Sequence, residues 1–376
     1  MNATQPFPEA DRRAAVALAF ARGVGCATYR ERVGRHGSAA VAFEETVPAG
    51  ARGEALSRAD AALEATDRAG ALLLVLGETG YPTPLLDLRD PPPLLFALGS
   101  PAALVEPGIS MVGTRHASPA GERTAHRLAR ALVRAGACVV SGMARGIDGA
   151  AHRGALDAGG PTVAVLGGGV DRPYPPSHRA LYEEILARGL AISEALPGSH
   201  PLPGAFPRRN RIIAALGRAL LVIEAGDRSG ALITADQALE MGRPIGVVPG
   251  HIDVPQCAGS NRLLRDGAIV ITSSDDALVL AGFATHSAAP VGGARRRSLE
   301  SGAAPMKTPS RNIAVEARED AEEEAVMLAV RSGASELVEL SRLTRLPVRA
   351  LTTALASLEL AGVLWTDHTG GVRLSG

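Results

Sequence analysis

Lysine is almost absent from this sequence of 376 residues. Of its 39 basic residues, 38 are arginine, and Lys307 is the single exception. A Walker-A phosphate loop needs a lysine directly after its glycines, and no glycine run precedes Lys307. A Schiff-base lysine needs a desolvated pocket, whereas the flanks of Lys307 are charged and rich in Gly and Pro. Net charge is also missing, because 39 acidic residues balance the basic ones. The whole molecule therefore exerts no long-range pull on polyanions or membranes, and any anion site must be a local cluster. Aromatic residues make up only 3 % of the chain, with one tryptophan, although a hydrophobic content of 46 % is ample for a core. Cys26, Cys138 and Cys257 are far apart and odd in number, which argues against a disulfide framework. No apolar run reaches the 18 residues of a membrane span. The start lacks a basic segment leading into an apolar stretch. These absences predict a soluble cytoplasmic protein. There is no G-x-S-x-G and no H-E-x-x-H, and the nine histidines show no zinc-ligand spacing, so no metal or cofactor is expected.

What is present is ordered along the chain. Residues 1–70 read as a small helical domain. Its break at Gly23-Val24-Gly25 is either a helix-hairpin-helix turn, of the SAM or helix-hairpin-helix kind, or a plain helical turn. Short apolar runs follow at Leu72–Leu76 and Leu94–Leu98. From Ile109 to about Leu280, strands alternate with helices. The predicted strands are Ile109–Val112, Cys138–Ser141, Thr162–Leu166, Leu190–Ser193, Ala219–Glu224, Ile245–Val248 and Ala268–Ile271. Such alternation predicts an α/β fold over 71–281, with a mostly parallel, Rossmann-like sheet covered by helices on both faces. Its strand-to-helix loops should share one edge, where such sheets bind ligands. Residues 282–320 read as a flexible linker. Residues 321–376 show three short helical stretches and a hairpin turning at Gly370-Gly371, the outline of a winged-helix-like domain.

Five loops at that edge carry the candidate chemistry. The first, Gly113-Thr114-Arg115 to Ser118-Pro119, pairs a tight glycine bend and an arginine with a well-capped helix start. It is either a phosphate site or an ordinary capped turn with a solvated arginine. The second, Ser141-Gly142 to Arg145 and Asp148, repeats the pattern. Arg145 is a second candidate phosphate ligand, Asp148 either caps the helix or positions a ligand hydroxyl, and His152 is read as structural. In the third, Arg208, Arg209, Asn210 and Arg211 open a helix, with 208 and 211 on one face and 209 pointing elsewhere. Asn210 stands out because the chain has only four asparagines. The fourth and fifth loops offer Ser229-Gly230 and Gly259-Ser260-Asn261 at helix starts. Outside the loops, Arg123, Arg127, Arg130 and Arg134 recur along one helix face, read by default as solvated. Over 109–285 there are 18 arginines against 15 acidic residues, a slight excess that only clustering turns into a patch.

Taken in order, these motifs resemble the DprA/Smf family from about Tyr81 to Asp276. The resemblance rests on Val112-Gly113-Thr114-Arg115, Ser141 to Asp148 with Ala151-His152, Thr162 to Gly167, Gly169-Val170-Asp171 with Tyr174-Pro175, Ser193-Glu194, Phe206 to Arg211, Ser229 to Ala235, Pro249-Gly250 and Gly259-Ser260-Asn261. It implies a non-enzymatic protein that binds single-stranded DNA in a basic pocket, protects incoming DNA during natural transformation, and dimerises. It also implies loading of a RecA-type recombinase past single-strand-binding protein. The family's glycine–Ser/Thr–arginine motif maps onto Gly113, Thr114 and Arg115, and its arginine–asparagine–arginine motif onto Arg209, Asn210 and Arg211. Many members set lysines around the pocket, but this core has none.

Two rival readings remain. The framework also resembles nucleoside-monophosphate phosphoribohydrolases. However, the stretch matching their proline-glycine-glycine-x-glycine-threonine motif is Gly226 to Gly230 with Thr234, and no glutamate follows until Glu240. A third reading makes the C-terminal domain a duplex-DNA reader. Its candidate recognition helix, Val348–Leu360, holds only Arg349 as a base, opposed by Glu359, so a protein-interaction role is favoured.

Overall fold

The computed structural model describes residues 7–201, 204–283, 325–330, 333–344, 346–360, 364–366 and 372–374. The expected linker, with Lys307, and the Gly370-Gly371 turn lie outside them. The chain divides into two compact units, Met1–Ala289 and Pro290–Gly376.

The first unit opens with four helices: α1 (Glu9–Phe20), α2 (Cys26–His36), α3 (Ala39–Thr46) and α4 (Ala49–Arg68). The break between α1 and α2 is the glycine turn, where Gly23 has φ +79°. These helices present mainly alanines inward, and their buried Val16, Leu18, Tyr29 and Phe43 join one core with the sheet that follows. Arg12 and Arg30 reinforce this by donating to the carbonyls of Leu73 and Leu88.

Nine strands form one sheet: β1 (Leu72–Val75), β2 (Leu94–Gly99), β3 (Gly108–Val112), β4 (Cys138–Ser141), β5 (Thr162–Val165), β6 (Leu190–Ser193), β7 (Leu220–Val222), β8 (Ile245–Val247) and β9 (Ile269–Val270). Their spatial order is β1-β2-β6-β5-β4-β3-β7-β8-β9. From β6 to β9 every pairing is parallel, while β1 and β2 add an antiparallel edge. The central strands are mostly apolar because helices cover both faces. On one face lie α5 (Pro119–Arg134), α6 (Ile147–Asp157), α7 (Arg179–Arg188) and α11 (Ser274–Leu280). On the other lie α8 (Ala205–Leu216) and α9 (Gly230–Glu240). The short α10 (Ala258–Arg265) follows β8. The expected strands between 109 and 280 are all present, with ends shifted by up to two residues, and helices alternate with them.

In the second unit, residues 325–330 are helical (α12), followed by α13 (Leu337–Thr344) and α14 (Val348–Leu360). Strands β10 (Leu364–Thr366) and β11 (Val372–Leu374) pair antiparallel. Val326, Leu340, Leu351, Leu355 and Val372 build its separate core. Among the described residues, no helix is long and apolar enough to cross a membrane.

Candidate nucleic-acid interface

Strand β3 is flanked by β4 on one side and β7 on the other. The connections diverge there, leaving a crevice at the carboxyl ends of β3 and β7, the usual ligand position in such sheets. The Gly113–Ser118 loop and Glu224 meet in that crevice. Thr114 N donates to Glu224 O at 2.7 Å. Gly113 is obligatory here, because a Cβ would lie 2.5 Å from Ile147 and 2.8 Å from that same carbonyl.

Ser118 caps α5 by accepting from Gly121 N at 3.0 Å. The sequence reading left the amides at this helix start open to an anion, and the fold corrects it. The buried Glu224 carboxylate occupies that place, accepting from Ser118 N at 2.8 Å and from Ser118 Oγ at 2.5 Å. A helix N-terminus stabilises a nearby anion whatever its source, and this protein supplies its own. Ser118 is therefore turned inward, while Arg115, two residues past the bend at Gly113, is left half-exposed.

The second loop is braced from beneath. Asp148 is buried, and its carboxylate accepts from Gly142 N at 3.1 Å and Ala144 N at 3.3 Å. It thus clasps the preceding loop, and supplies no side-chain cap to its own helix. Met143 takes an unusual left-handed conformation (φ +58°), and its carbonyl accepts from His178 Nδ1 at 3.1 Å. Gly146 has φ +70°, and a Cβ there would lie 2.5 Å from Thr114 O. The two loops therefore pack backbone to backbone. Arg145 stands exposed on the second loop. Ser141 is buried and donates to Met111 O at 2.7 Å. His152 is structural, as expected. Its Nδ1 meets Thr162 Oγ1 at 2.7 Å, and that hydroxyl donates onward to Val139 O at 2.6 Å. Burial pushes His152 down to about 3.

The arginine cluster on α8 splits into three roles. Arg209 is buried and donates to Gly142 O at 2.9 Å. It lies so close beneath Gly142 that a Cβ would sit 1.5 Å from its guanidinium. Burial pushes Arg209 down to about 10, against the pull of Asp148. Burial also raises Asp148, against Arg209. Arg209 thus supports the loop floor from below. Arg211 is buried too, 2.5 Å from Glu194 and 3.7 Å from Asp90. Arg208 shares its face as expected, but is exposed and only 3.9 Å from the same Glu194. The shared face meets an acid of the protein.

The remaining candidates are linked to the framework. Asn210 Nδ2 donates to Gly230 O at 3.2 Å, tying α8 to the start of α9, which Ser229 caps through Ala231 N. Asn261 makes a two-pronged clamp on Gly250, accepting from its N at 3.0 Å and donating to its O at 3.1 Å.

One relationship was invisible in the sequence. The Arg115 guanidinium lies over the Phe206 ring, 5.3 Å from its centroid. Tyr174 packs against the same ring at 5.7 Å, tilted by 54°. Arg115 and Tyr174 from two loops and Phe206 from the first turn of α8 thus combine one charge with two aromatic surfaces at the rim of the crevice, and Tyr174 is exposed. Motif resemblance pointed to each residue singly, but no local signal joins positions 115, 174 and 206.

An open, mostly parallel sheet with a glycine-bent, arginine-bearing loop at its switch point defines a Rossmann-type fold. Residues 55–282 match the family model for DNA recombination-mediator protein A, and the chain belongs to that family. It is 45 % identical over 208 residues to Protein Smf of Synechocystis, covering 54 % of this chain and 52 % of that protein. The chain thus spans about half the length of that curated relative. The structure of DNA processing protein A from Streptococcus pneumoniae superposes with a TM-score of 0.63 at 32 % identity, covering 75 % of this chain and 100 % of that one. That from Helicobacter pylori, described for its single-stranded DNA binding mode, gives 0.52 at 29 % identity, covering 57 % and 97 %.

Proposed function

We propose that this protein binds single-stranded DNA in the crevice at the carboxyl ends of β3 and β7. The observation that carries this reading is the Arg115 guanidinium over Phe206, with Tyr174 on the same ring. Single-strand binders combine cations for the backbone with aromatic faces for unstacked bases, and this rim offers both. Arg115, Arg145, Thr114 and the Ser229-Gly230 loop face the strand in this reading. Gly113, Gly142, Ser141, Arg209, Arg211, Asn210 and Asn261 hold the loops in shape.

The same reading makes the protein a non-enzymatic mediator. It shields incoming strands in transformation and passes them, as a homodimer, to a RecA-type recombinase past single-strand-binding protein. Family membership and the single-strand binding described for the Helicobacter pylori protein support it. The N-terminal helices are read as the SAM or helix-hairpin-helix-like part. The C-terminal helices and hairpin are read as a winged-helix-like module for protein contacts.

Fluorescence polarisation with single- and double-stranded oligonucleotides at two salt concentrations tests the binding. Preference for the single strand is expected. Arg115→Ala should weaken it and lower the salt slope by about 0.7 for each phosphate that is no longer neutralised. An unchanged slope overturns Arg115 as a phosphate ligand. Release of free base from nucleoside monophosphates, abolished by altering the Arg228–Gly230 loop, would favour the phosphoribohydrolase reading instead.

A further inference from the structure

Helix α5 carries a basic face that the crevice does not use. Arg123, Arg127, Arg130 and Arg134 lie opposite the face that buries Ala125, Leu128, Ala129 and Leu132. Arg123, Arg127 and Arg134 are exposed and Arg130 is half-buried. At 1.5 Å per residue the row spans about 16 Å.

What sets this row apart is its pairing. Five exposed helical arginines elsewhere sit one turn from a glutamate: Arg35 with Glu31, Arg58 with Glu54, Arg68 with Glu64, Arg179 with Glu183, and Arg188 with Glu184; exposed Arg30 and Arg265 have none, but neither belongs to a row of four. On α5 the positions one turn away hold further arginines, His126 or uncharged residues. Glu122 lies in the first turn of α5, and Asp157 takes His126 at 2.7 Å. Among the described residues, no carboxylate pairs with any of the four. Like charges one turn apart destabilise a helix, so the row costs stability unless an external anion lies along it.

Position supplies the second argument. α5 begins at the crevice itself, at the Ser118–Glu224 cap, so the row leads away from the candidate site. Arg127 also borders a cleft of about 220 Å³ with Thr124, Val248, Thr272 and Ser273, at the carboxyl ends of β8 and β9. A polyanion leaving the crevice over this helix would meet a recess and four unpaired guanidinium groups.

We infer that α5 forms a track for the sugar-phosphate backbone of a single strand continuing beyond the crevice, with Arg123, Arg127 and Arg134 as its phosphate contacts. This inference rests on the single-strand reading of the crevice and deepens it. The crevice holds a short stretch of strand, and α5 extends the footprint without adding sequence preference, because arginines that meet only phosphates carry no base readout.

The test compares the full-length protein with its Arg123→Ser, Arg127→Ser, Arg134→Ser triple variant on two oligothymidylates, one of about six nucleotides and one of about thirty. For the long strand, the slope of log affinity against log salt should fall by about 2, from three phosphates at about 0.7 each. The short strand should bind both proteins alike. A triple arginine-to-lysine variant should keep the wild-type slope, which separates charge from folding. Equal slopes for wild type and the serine variant on the long strand overturn the track and leave the crevice standing. If the wild type binds neither strand, the reading of the crevice falls with it. Loss of short-strand binding in the serine variant, with the lysine variant intact, places these arginines in the crevice and also overturns the track.

Discussion

Glu224 accepts hydrogen bonds from both the amide and the hydroxyl of Ser118, 106 residues earlier in the chain. The contact joins the end of β7 to the start of α5 across the topological switch point. Hydrogen bonds to a charged group are worth about 1.5–3 kcal/mol each, and leaving buried donors unpaired costs more than the bond itself. Glu224→Ala is therefore expected to destabilise the first unit by about 2–4 kcal/mol in urea unfolding. Glu224→Gln should lose much of the same amount, since an amide cannot accept at both of its atoms. A loss under about half a kcal/mol in either would show that the cap is dispensable.

The rim aromatic has a distinct signature. Phe206→Leu removes the surface shared by Arg115 and Tyr174 while leaving every charge in place. Single-strand affinity should drop by about 1–3 kcal/mol, with the salt slope unchanged. Arg115→Ala should change that slope. If the two variants alter it equally, stacking and phosphate contact are not separable at this rim.

Gly142 and Gly146 test the loop floor. Gly142→Ala drives a methyl into the Arg209 guanidinium, and Gly146→Ala combines φ +70° with a clash at Thr114 O. Each should cost stability by more than the roughly 1 kcal/mol typical of a surface helical glycine change, and Gly146→Ala by at least the strain of a left-handed residue, about 1–2 kcal/mol. Thermal melts of the two variants measure this directly. By contrast, Gly34→Ala, with open space around it, should be neutral or mildly stabilising.

His152 makes stability depend on pH. Its folded-state value is pushed down to about 3 by burial, whereas unfolded histidine titrates near 6.5. Between these values the unfolded chain binds the extra proton, so the stability this group contributes is complete above about pH 6.5 and is lost as pH falls toward 3. The limiting slope is about 1.4 kcal/mol per pH unit. Asp148 and Glu194, both raised by burial, act in the opposite sense, so the wild type must be compared with His152→Gln. The difference in unfolding free energy between the two should narrow as pH falls from 7 to 4. A constant difference would mean that His152 is not held neutral.

The alternation of strands and helices from Ile109 onward, the loops at one edge, and the capping serines were legible in the sequence because their signals are local. An apolar run of four, a glycine bend and a Ser-Pro start each act within a few residues. Gly113 could be assigned to a turn, Ser118 to a cap and Ser229 to a helix start before any contact was known. Their neighbours across the crevice could not.

What the tertiary structure decided is which arginines face outward. Arg208, Arg209 and Arg211 look alike in sequence, yet one is exposed, one lies beneath Gly142, and one is buried against Glu194. Burying a guanidinium is tolerable only where carbonyls or carboxylates meet it, and those partners come from positions 142, 194 and 90. The same holds for Glu224, whose carboxylate takes the helix start that the sequence left open to a ligand, and for Arg115, whose aromatic partner Phe206 is far along the chain. The sequence alone determined that an anion site over residues 109–285 draws on arginine and backbone amides, since the only lysine of the chain is Lys307. Which arginines remain available to a ligand was decided by long-range packing, because the burial of a charge depends on the neighbours that the fold brings to it.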